Sequence, residues 1–322
     1  MNYRKLGRTG FEVSGIGHGL WGMSGWSGSS DQESLAALQL AVDLGCNFYD
    51  TAWAYGEGKS DGLLGEIMAR NPNQRLYAAS KIPPANDRWP ALPEYKYHDV
   101  FSPKHVFKYA DKIRQQLRTD TIDLLQFHVW DDSWTNEPDF RSTVEKLKHD
   151  GWIRYFGLSI NRWQAENGIK ALRTGLVDVV QVIYNIFDQS PEDELFPVCQ
   201  ELNVGVIARV PFDEGSLGGK MTLETRFPKD DWRSGYFGPE NLAKTIKRVD
   251  ELKEILPAGM TLPEMALGFI LSHPAVGTTI AGMRKLDHVR QNIASDSGPL
   301  DKPLLAELKK HRWDRTPQRW SD

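Results

Sequence analysis

The chain has 322 residues, of which 40% are hydrophobic and 25% are charged, the proportions of an ordinary globular protein. Its 39 lysines and arginines and 43 aspartates and glutamates give a formal charge of −4, so the sequence predicts no basic surface for nucleic acid. Two cysteines exclude a disulfide scaffold, and the eight histidines show no zinc-binding pattern, so we expect no metal. No secretory signal and no membrane-spanning run is recognisable, so we expect a cytoplasmic protein without membrane partners.

Short apolar runs rich in β-branched residues alternate with longer helical patterns along the chain. The eight runs cover residues 15–20, 47–50, 76–82, 122–129, 153–160, 177–184, 204–210 and 277–281. The helical patterns between them cover residues 31–44, 59–69, 103–117, 143–149, 162–173, 192–201, 262–271 and 286–294. Strands that alternate with helices favour parallel pairing. Eight such units predict an α/β protein with a closed (β/α)8 TIM barrel, and an open doubly wound sheet is the main alternative.

Other segments are additions to this barrel, which we predict to be one domain over residues 1–322. Residues 1–14 read as a hairpin cap, and residues 241–256 as an extra helix. Residues 83–102 and 212–240 are long loops, which in compact domains are usually functional. The tail, residues 311–322, either folds over a pocket, covers an oligomer interface or is disordered; the sequence does not decide the oligomeric state.

Two motifs resemble cofactor or catalytic signatures of other folds. Gly17, Gly19 and Gly22 match a dinucleotide-binding fingerprint, but that mechanism needs a helix directly after the glycines, and the next helix begins only near residue 30. Tyr77 and Lys81 match the spacing of the short-chain dehydrogenase pair, although prolines follow at once and would end a helix. We read this second segment as a strand and keep the short-chain dehydrogenase as an alternative.

Polar residues lie at the ends of the second, third and fourth predicted strands, namely Asp50, Lys81 and His128, and Tyr55 lies in the loop after the second. In a (β/α)8 barrel the strand ends meet at the catalytic face, so we expect these four side chains to lie together. A tyrosine with a pKa near 10 is a poor acid, and a neighbouring lysine would lower that pKa. Such a site can protonate a carbonyl oxygen, and the hydride for the carbon would come from a nicotinamide cofactor.

Several segments resemble the aldo-keto reductase family over nearly the whole chain. Tyr3-Arg4-x-Leu6-Gly7-Arg8-Thr9-Gly10 is similar to its opening hairpin, and Phe48-Tyr49-Asp50-Thr51-Ala52-x-x-Tyr55-Gly56 resembles its most specific motif. The resemblance implies NADP-dependent reduction of aldehydes or ketones to alcohols. It makes Tyr55 the general acid, Asp50 and Lys81 the groups that tune its pKa, and His128 the residue that positions the carbonyl. A cofactor-binding regulatory protein on the same fold is the second possibility.

The resemblance also implies a cofactor site along the rim of the barrel. The nicotinamide end would use Gly19, Trp21, Ser159, Asn161, Gln181 and the stacking ring of Tyr184. The pyrophosphate would lie on Gly215, Ser216, Leu217, Gly219 and Lys220, and the adenosine end on Gly282, Arg284, Gln291 and Asn292. Because a guanidinium matches phosphate geometry, Arg284 favours NADP(H) over NAD(H).

Tryptophans after the strands are candidates for the wall of a substrate pocket. They are Trp26, Trp53, Trp89 and Trp130, and aromatic walls suit a small carbonyl compound with an apolar or sugar-like body. Asp131 and Asp132, beside the last of them, predict a site that disfavours acidic substrates.

Overall fold

The computed structural model describes residues 1–25, 28, 30–229 and 231–315, and it contains a short hairpin followed by a closed barrel. The hairpin strands are β1 (Tyr3–Lys5) and β2 (Glu12–Ser14). The barrel strands are β3 (Ile16–Gly19), β4 (Phe48–Asp50), β5 (Tyr77–Ile82), β6 (Ile122–Phe127), β7 (Ile153–Ser159), β8 (Val179–Ile183), β9 (Gly205–Arg209) and β10 (Val276–Gly282). All neighbouring barrel strands are parallel, and β10 pairs with β3, so the predicted (β/α)8 barrel is confirmed and the open sheet is excluded.

Helices surround the barrel, and most of them coincide with the sequence pattern. They are α1 (Asp31–Asp43), α2 (Lys59–Arg70), α3 (Tyr97–Phe101), α4 (Pro103–Leu117), α5 (Pro138–His149), α6 (Ile169–Arg173), α7 (Leu195–Glu201), α8 (Arg233–Tyr236), α9 (Pro239–Glu254), α10 (Leu262–Leu271), α11 (Leu286–Ala294) and α12 (Lys302–Lys309). No helix of the described part is long and apolar enough to cross a membrane.

Side-chain caps explain where several helices begin. The Ser30 side chain accepts a hydrogen bond from the Glu33 amide at the start of α1, and Thr261 with Glu264 forms a complete capping box before α10. The predicted helix 162–173 is wrong in its first half, because only the last turn is helical. Trp163 there has a φ of 57°, a left-handed conformation that interrupts a helix.

The barrel interior changes from apolar at its base to polar at its mouth. Successive strand residues point to opposite faces, so residues two apart along a strand share the interior. Apolar interior side chains form one cluster at the base: Phe48, Ala79, Leu124, Val179 and Ile207, covered by Leu6, Phe11 and Val13 from the hairpin segment. Two residues further along the same strands stand Asp50, Lys81, Gln126, Gln181 and Arg209. Strand parity thus brings a layer of polar side chains to the mouth of the barrel.

Candidate active site

A buried ion pair lies at the centre of the barrel mouth. The Lys81 ammonium donates to Asp50 Oδ1 at 2.5 Å and to the Thr51 carbonyl at 2.8 Å, and both side chains of the pair are buried. The second carboxylate oxygen of Asp50 accepts a hydrogen bond of 2.7 Å from the Gln181 amide. Burial lowers the pKa of Lys81, and the carboxylate of Asp50 opposes this shift. Hydrogen bonds to the Thr51 carbonyl and from the Gln181 amide therefore fix the position of the Lys81–Asp50 pair.

Tyr55, His128 and Trp89 lie against this ion pair. The Lys81 ammonium is 5.4 Å from the centroid of the Tyr55 ring, which is 5.7 Å from the His128 ring. Trp89, from the long loop after β5, packs edge-on to His128 at 4.4 Å. His128 Nδ1 is buried without a hydrogen-bond partner in the described structure, and burial holds the pKa of this ring well below its usual value. The structure thus brings the four residues Asp50, Tyr55, Lys81 and His128 together.

The electrostatics of Tyr55 differ from the sequence-based expectation. Burial and the negative charge of Asp50 raise the pKa of Tyr55 well above its usual value, and the cation that opposes this rise is Arg209. Lys81 lies 5.4 Å from the centroid of this ring and is paired with Asp50, and its expected role in tuning the pKa of Tyr55 stays a prediction. Tyr55 is a neutral phenol at physiological pH, which is the form that donates a proton.

Sequence reasoning missed three polar residues around the site. Arg209 is the last residue of β9 and lies two positions after the interior residue Ile207. Because alternate strand residues share a face, the sequence alone could have placed the Arg209 side chain inside the barrel. Gln126 precedes His128 by two positions on the same face, and its amide lies 3.4 Å from Asp50 Oδ2. Asp61, in the first turn of α2, has no comparable sequence signal.

Residues predicted at the nicotinamide end separate into two groups. Ser159 ends β7 opposite Gln181, whose amide reaches the Asp50 carboxylate. Asn161 does not fit its predicted role, because its side chain is bonded to both backbone groups of Ala91 and to Gln164.

Tyr184 also does not fit its predicted role as a ring that stacks on nicotinamide. It follows β8 on the outward-facing parity, packs against Phe196 and Phe269, and donates its hydroxyl proton to Glu192 at 2.6 Å. Its backbone amide donates to the Arg209 carbonyl at 3.4 Å, which places Tyr184 beside the end of β9.

The predicted pyrophosphate loop follows β9 as a tight turn. Gly215 and Gly219 have φ values of 105° and 73°, conformations that glycine adopts without strain. The Ser216 hydroxyl donates to Asp213 Oδ2 at 2.8 Å, while Leu217 is buried and Lys220 is exposed. The turn is short, glycine-rich and anchored through Asp213.

The predicted adenosine end carries a cluster of positive charge. Burial lowers the pKa of His288, and the positive charges of Lys220, Lys285 and Arg284 lower it further, so these groups converge at the start of α11. A helix N-terminus with basic side chains is suited to phosphate. Gly19 and Gly282 face each other in the strand register at the ends of β3 and β10, and on α11 Gln291 is exposed and Asn292 is buried. The arrangement fits a phosphate at this end of the rim.

The tryptophans are not all at the mouth. Trp53 packs against Tyr109 of α4, and Trp130 is fully buried among Phe127, Trp134 and Phe140, so neither fits a substrate wall. Trp26 lies outside the described residues. Trp89 remains beside His128, and Trp21 lies at the rim, 6.2 Å from the ring of Trp232.

Asp131 and Asp132 do not face the barrel mouth, contrary to the sequence-based expectation. Asp131 caps a short helical turn by accepting from the Ser133 amide, and Asp132 accepts from the Trp130 indole and from the Lys170 amide. Both carboxylates are occupied by hydrogen bonds within the loops, so they do not disfavour an acidic substrate at the mouth.

The short-chain dehydrogenase alternative is excluded by the strand β5. Tyr77 and Lys81 stand at opposite ends of this strand, whereas the pair requires adjacent turns of one helix. Tyr77 stacks on Phe11 at the base of the barrel, with ring centroids 4.3 Å apart.

A (β/α)8 barrel with a phenol, an ammonium, a carboxylate and an imidazole at its mouth has the groups required for acid–base chemistry on a bound substrate. The family model described as the aldo/keto reductase family matches residues 15–312, so the chain belongs to that family. The protein is therefore an oxidoreductase of this family.

Relatives align over nearly full length. The chain is 29% identical over 318 residues to YqkF, an uncharacterized oxidoreductase of Bacillus subtilis (strain 168), covering 97% of this chain and 96% of that protein. It is 25% identical over 322 residues to the NADH-specific methylglyoxal reductase of Escherichia coli (strain K12), covering 94% and 97%. The solved structure of the glycerol dehydrogenase AKR11B4 from Gluconobacter oxydans is similar with a TM-score of 0.79 and 27% identity, covering 96% and 94%.

Proposed function

We propose that this protein reduces an aldehyde or ketone to an alcohol, with Tyr55 as the general acid. The observation that carries the proposal is the contact of Tyr55 with His128 and with the Lys81–Asp50 pair at the barrel mouth. The cofactor is NADP(H), which supplies the hydride when it is bound. The basic cluster of Arg284, Lys285, Lys220 and His288 fits the 2′-phosphate of this cofactor.

Each residue of the site has a defined part in this reaction. The substrate oxygen would lie between the Tyr55 hydroxyl and the imidazole of His128, which burial keeps neutral and therefore able to donate or accept one hydrogen bond. Tyr55 transfers its proton to the carbonyl oxygen as charge develops there. Lys81 stabilises the resulting phenolate, and Asp50 with Gln181 fixes the position of the ammonium. Trp89 shields one side of the imidazole from water.

Replacement of Tyr55 tests the assignment of the acid. In Tyr55→Phe, we expect the turnover of NADPH with aldehydes to fall by about 10²- to 10⁴-fold, the usual contribution of a general acid, while NADPH binding is retained. Tyr97→Phe is a matched control, because Tyr97 is another buried tyrosine with a raised pKa but lies in the aromatic core. Equal rates in Tyr55→Phe and wild type would refute the assigned role, and absence of turnover in wild type with every carbonyl tried would favour a cofactor-binding regulatory protein.

Replacement of Arg284 tests the cofactor preference. Arg284→Ala should raise the KM for NADPH by about tenfold, corresponding to the loss of one charge-assisted interaction of about 1.4 kcal/mol, and leave the KM for NADH nearly unchanged. Arg290→Ala, at an exposed position of α11, the helix that begins two residues after Arg284, is the control. Equal effects on the KM values of NADPH and NADH would exclude a role of Arg284 in binding the 2′-phosphate. Both cofactors must be assayed, because the E. coli relative is named as NADH-specific.

The substrate panel follows from the shape of the site. Trp89 and Trp21 offer aromatic surface, so aromatic aldehydes, sugar aldehydes and methylglyoxal-like dicarbonyls should be compared. The cytoplasmic location and the single domain over residues 1–322 stay predictions from the sequence.

A further inference from the structure

Arg209 is a buried guanidinium at the barrel mouth whose charge is not paired. Its Nη2 donates to the Ile160 carbonyl at 2.9 Å, and its Nε is buried without a hydrogen-bond partner within the described ranges. Across those same residues, no carboxylate oxygen lies within ion-pairing distance of this guanidinium. Burial lowers the pKa of Arg209 to about 10, which still leaves it charged at physiological pH.

The other cations around the mouth are neutralised by partners. Lys81 is paired with Asp50, and Arg162 with Glu214. Arg315, from the segment after α12, is paired with Asp188 and Asp213. The Arg315 group has two carboxylates for one guanidinium and is net negative, so what distinguishes Arg209 among the described residues of the mouth is that its own guanidinium has no carboxylate within ion-pairing distance. An unpaired buried charge is costly, so its presence calls for a function.

The position of Arg209 places this charge beside the reaction. Its positive charge acts to lower the pKa values of Tyr55, Lys81 and His128. A carbonyl carbon that receives hydride while its oxygen takes the Tyr55 proton must lie within a few ångströms of the same groups. The hydride donor is therefore close to the guanidinium as well.

Resting on the proposed function, we propose that Arg209 makes the site discriminate between the two redox forms of the nicotinamide cofactor. The reduced ring is neutral and the oxidised ring carries one positive charge, so a fixed guanidinium nearby disfavours the oxidised form alone. For a guanidinium and an oxidised ring about 6 Å apart, at an effective dielectric constant between about 20 and 80, the repulsion is about 0.7 to 2.8 kcal/mol. This repulsion raises the dissociation constant of the oxidised form by a factor between about 3 and 100. We expect the dissociation constant of NADP+ to exceed that of NADPH by about tenfold, so that NADP+ leaves readily and inhibits weakly as a product.

Direct binding measurements test this discrimination without turnover. Calorimetric titrations with NADPH and with NADP+ are compared for wild type, Arg209→Gln and Arg209→Lys. The ratio of the two dissociation constants should fall about tenfold in Arg209→Gln and be retained in Arg209→Lys, which keeps the charge. Arg284→Ala is the control, because the 2′-phosphate is the same in both forms; both affinities should weaken and the ratio should stay constant.

The outcomes separate this inference from the proposed function. An unchanged ratio in folded Arg209→Gln, or a ratio of one in wild type, overturns the discrimination and leaves the reductase proposal in place. The wild-type ratio alone decides the question if Arg209→Gln does not fold. Failure of wild type to bind either form overturns both proposals.

Discussion

Asp61 provides a pH-dependent test of the electrostatics at the barrel mouth. It lies in the first turn of α2, fully buried; its Oδ1 accepts from the Ser80 hydroxyl at 2.6 Å, and its Oδ2 lacks a partner within the described structure. Burial raises its pKa from 3.8 to about 7, although Ser80 and the charge of Lys81 oppose the shift. The unfolded chain therefore loses this proton at lower pH than the folded protein does.

The sign and size of the effect follow from linkage. Because the folded pKa is the higher one, the stability contribution is present below pH 3.8 and is lost as pH rises to about 7. The full loss is about 3 pKa units, or about 4 kcal/mol at 1.36 kcal/mol per unit, and about 3 kcal/mol of it falls between pH 5 and pH 8. Asp61→Asn keeps the shape and removes the ionisation.

Thermal unfolding measures this difference. With an unfolding entropy of about 2.1 cal/mol/K per residue, the Tm of Asp61→Asn relative to wild type should increase by about 4 °C between pH 5 and pH 8. Asp120→Asn, at an exposed position, is the control and should show a constant difference. Parallel Tm curves for wild type and Asp61→Asn would refute the reasoning.

Three further predictions concern packing, the C-terminal segment and the pocket. Gly65→Ala should lower the free energy of unfolding by about 1–3 kcal/mol in chemical denaturation, because the new Cβ would lie 2.3 Å from the backbone oxygen of Gln116 at the end of α4. Gly62→Ala is the control and should be neutral or stabilising, since its Cβ meets only the flexible side-chain amide of Gln116. Arg315→Ala should lower the free energy of unfolding by about 3–5 kcal/mol and raise the KM for NADPH, since it leaves two buried aspartates without their ion-pair partner beside the glycine-rich turn. Arg312→Ala removes an exposed ion pair and should lower the free energy of unfolding by under about 1 kcal/mol. Equal losses of stability in the two variants would contradict this prediction. Trp89→Ala should change the KM for aromatic aldehydes more than for small ones, and a uniform change would exclude it from the pocket wall.

The strand positions and the four polar residues at their ends were predictable because both depend on local pattern. Alternation of apolar runs and helices determines parallel pairing, and parallel pairing places Asp50, Lys81 and His128 on one face. Tyr55 follows from the same rule, since it lies five residues after the end of β4. Parity along a strand would also have predicted Arg209.

Side-chain direction after the strand ends was not predictable in this way. Tyr184 has the residue type expected of a stacking ring, but it follows β8 on the outward parity and packs under the helices. Asn161 has a suitable amide, but Ala91, 70 positions away, occupies it. Trp53 and Trp130 follow strands as expected, yet neighbouring aromatic side chains bury them.

Periodicity and strand ends are properties of short segments, so the barrel and the set of groups at its mouth can be read from the amino-acid sequence. Which of these groups keep their charge depends on tertiary packing, because each charge is neutralised by a segment far away in the chain. Arg315 reaches Asp188 over 127 positions, and Arg162 reaches Glu214 over 52. Arg209 is left unpaired by the same packing, and that residual charge is what the sequence could not reveal.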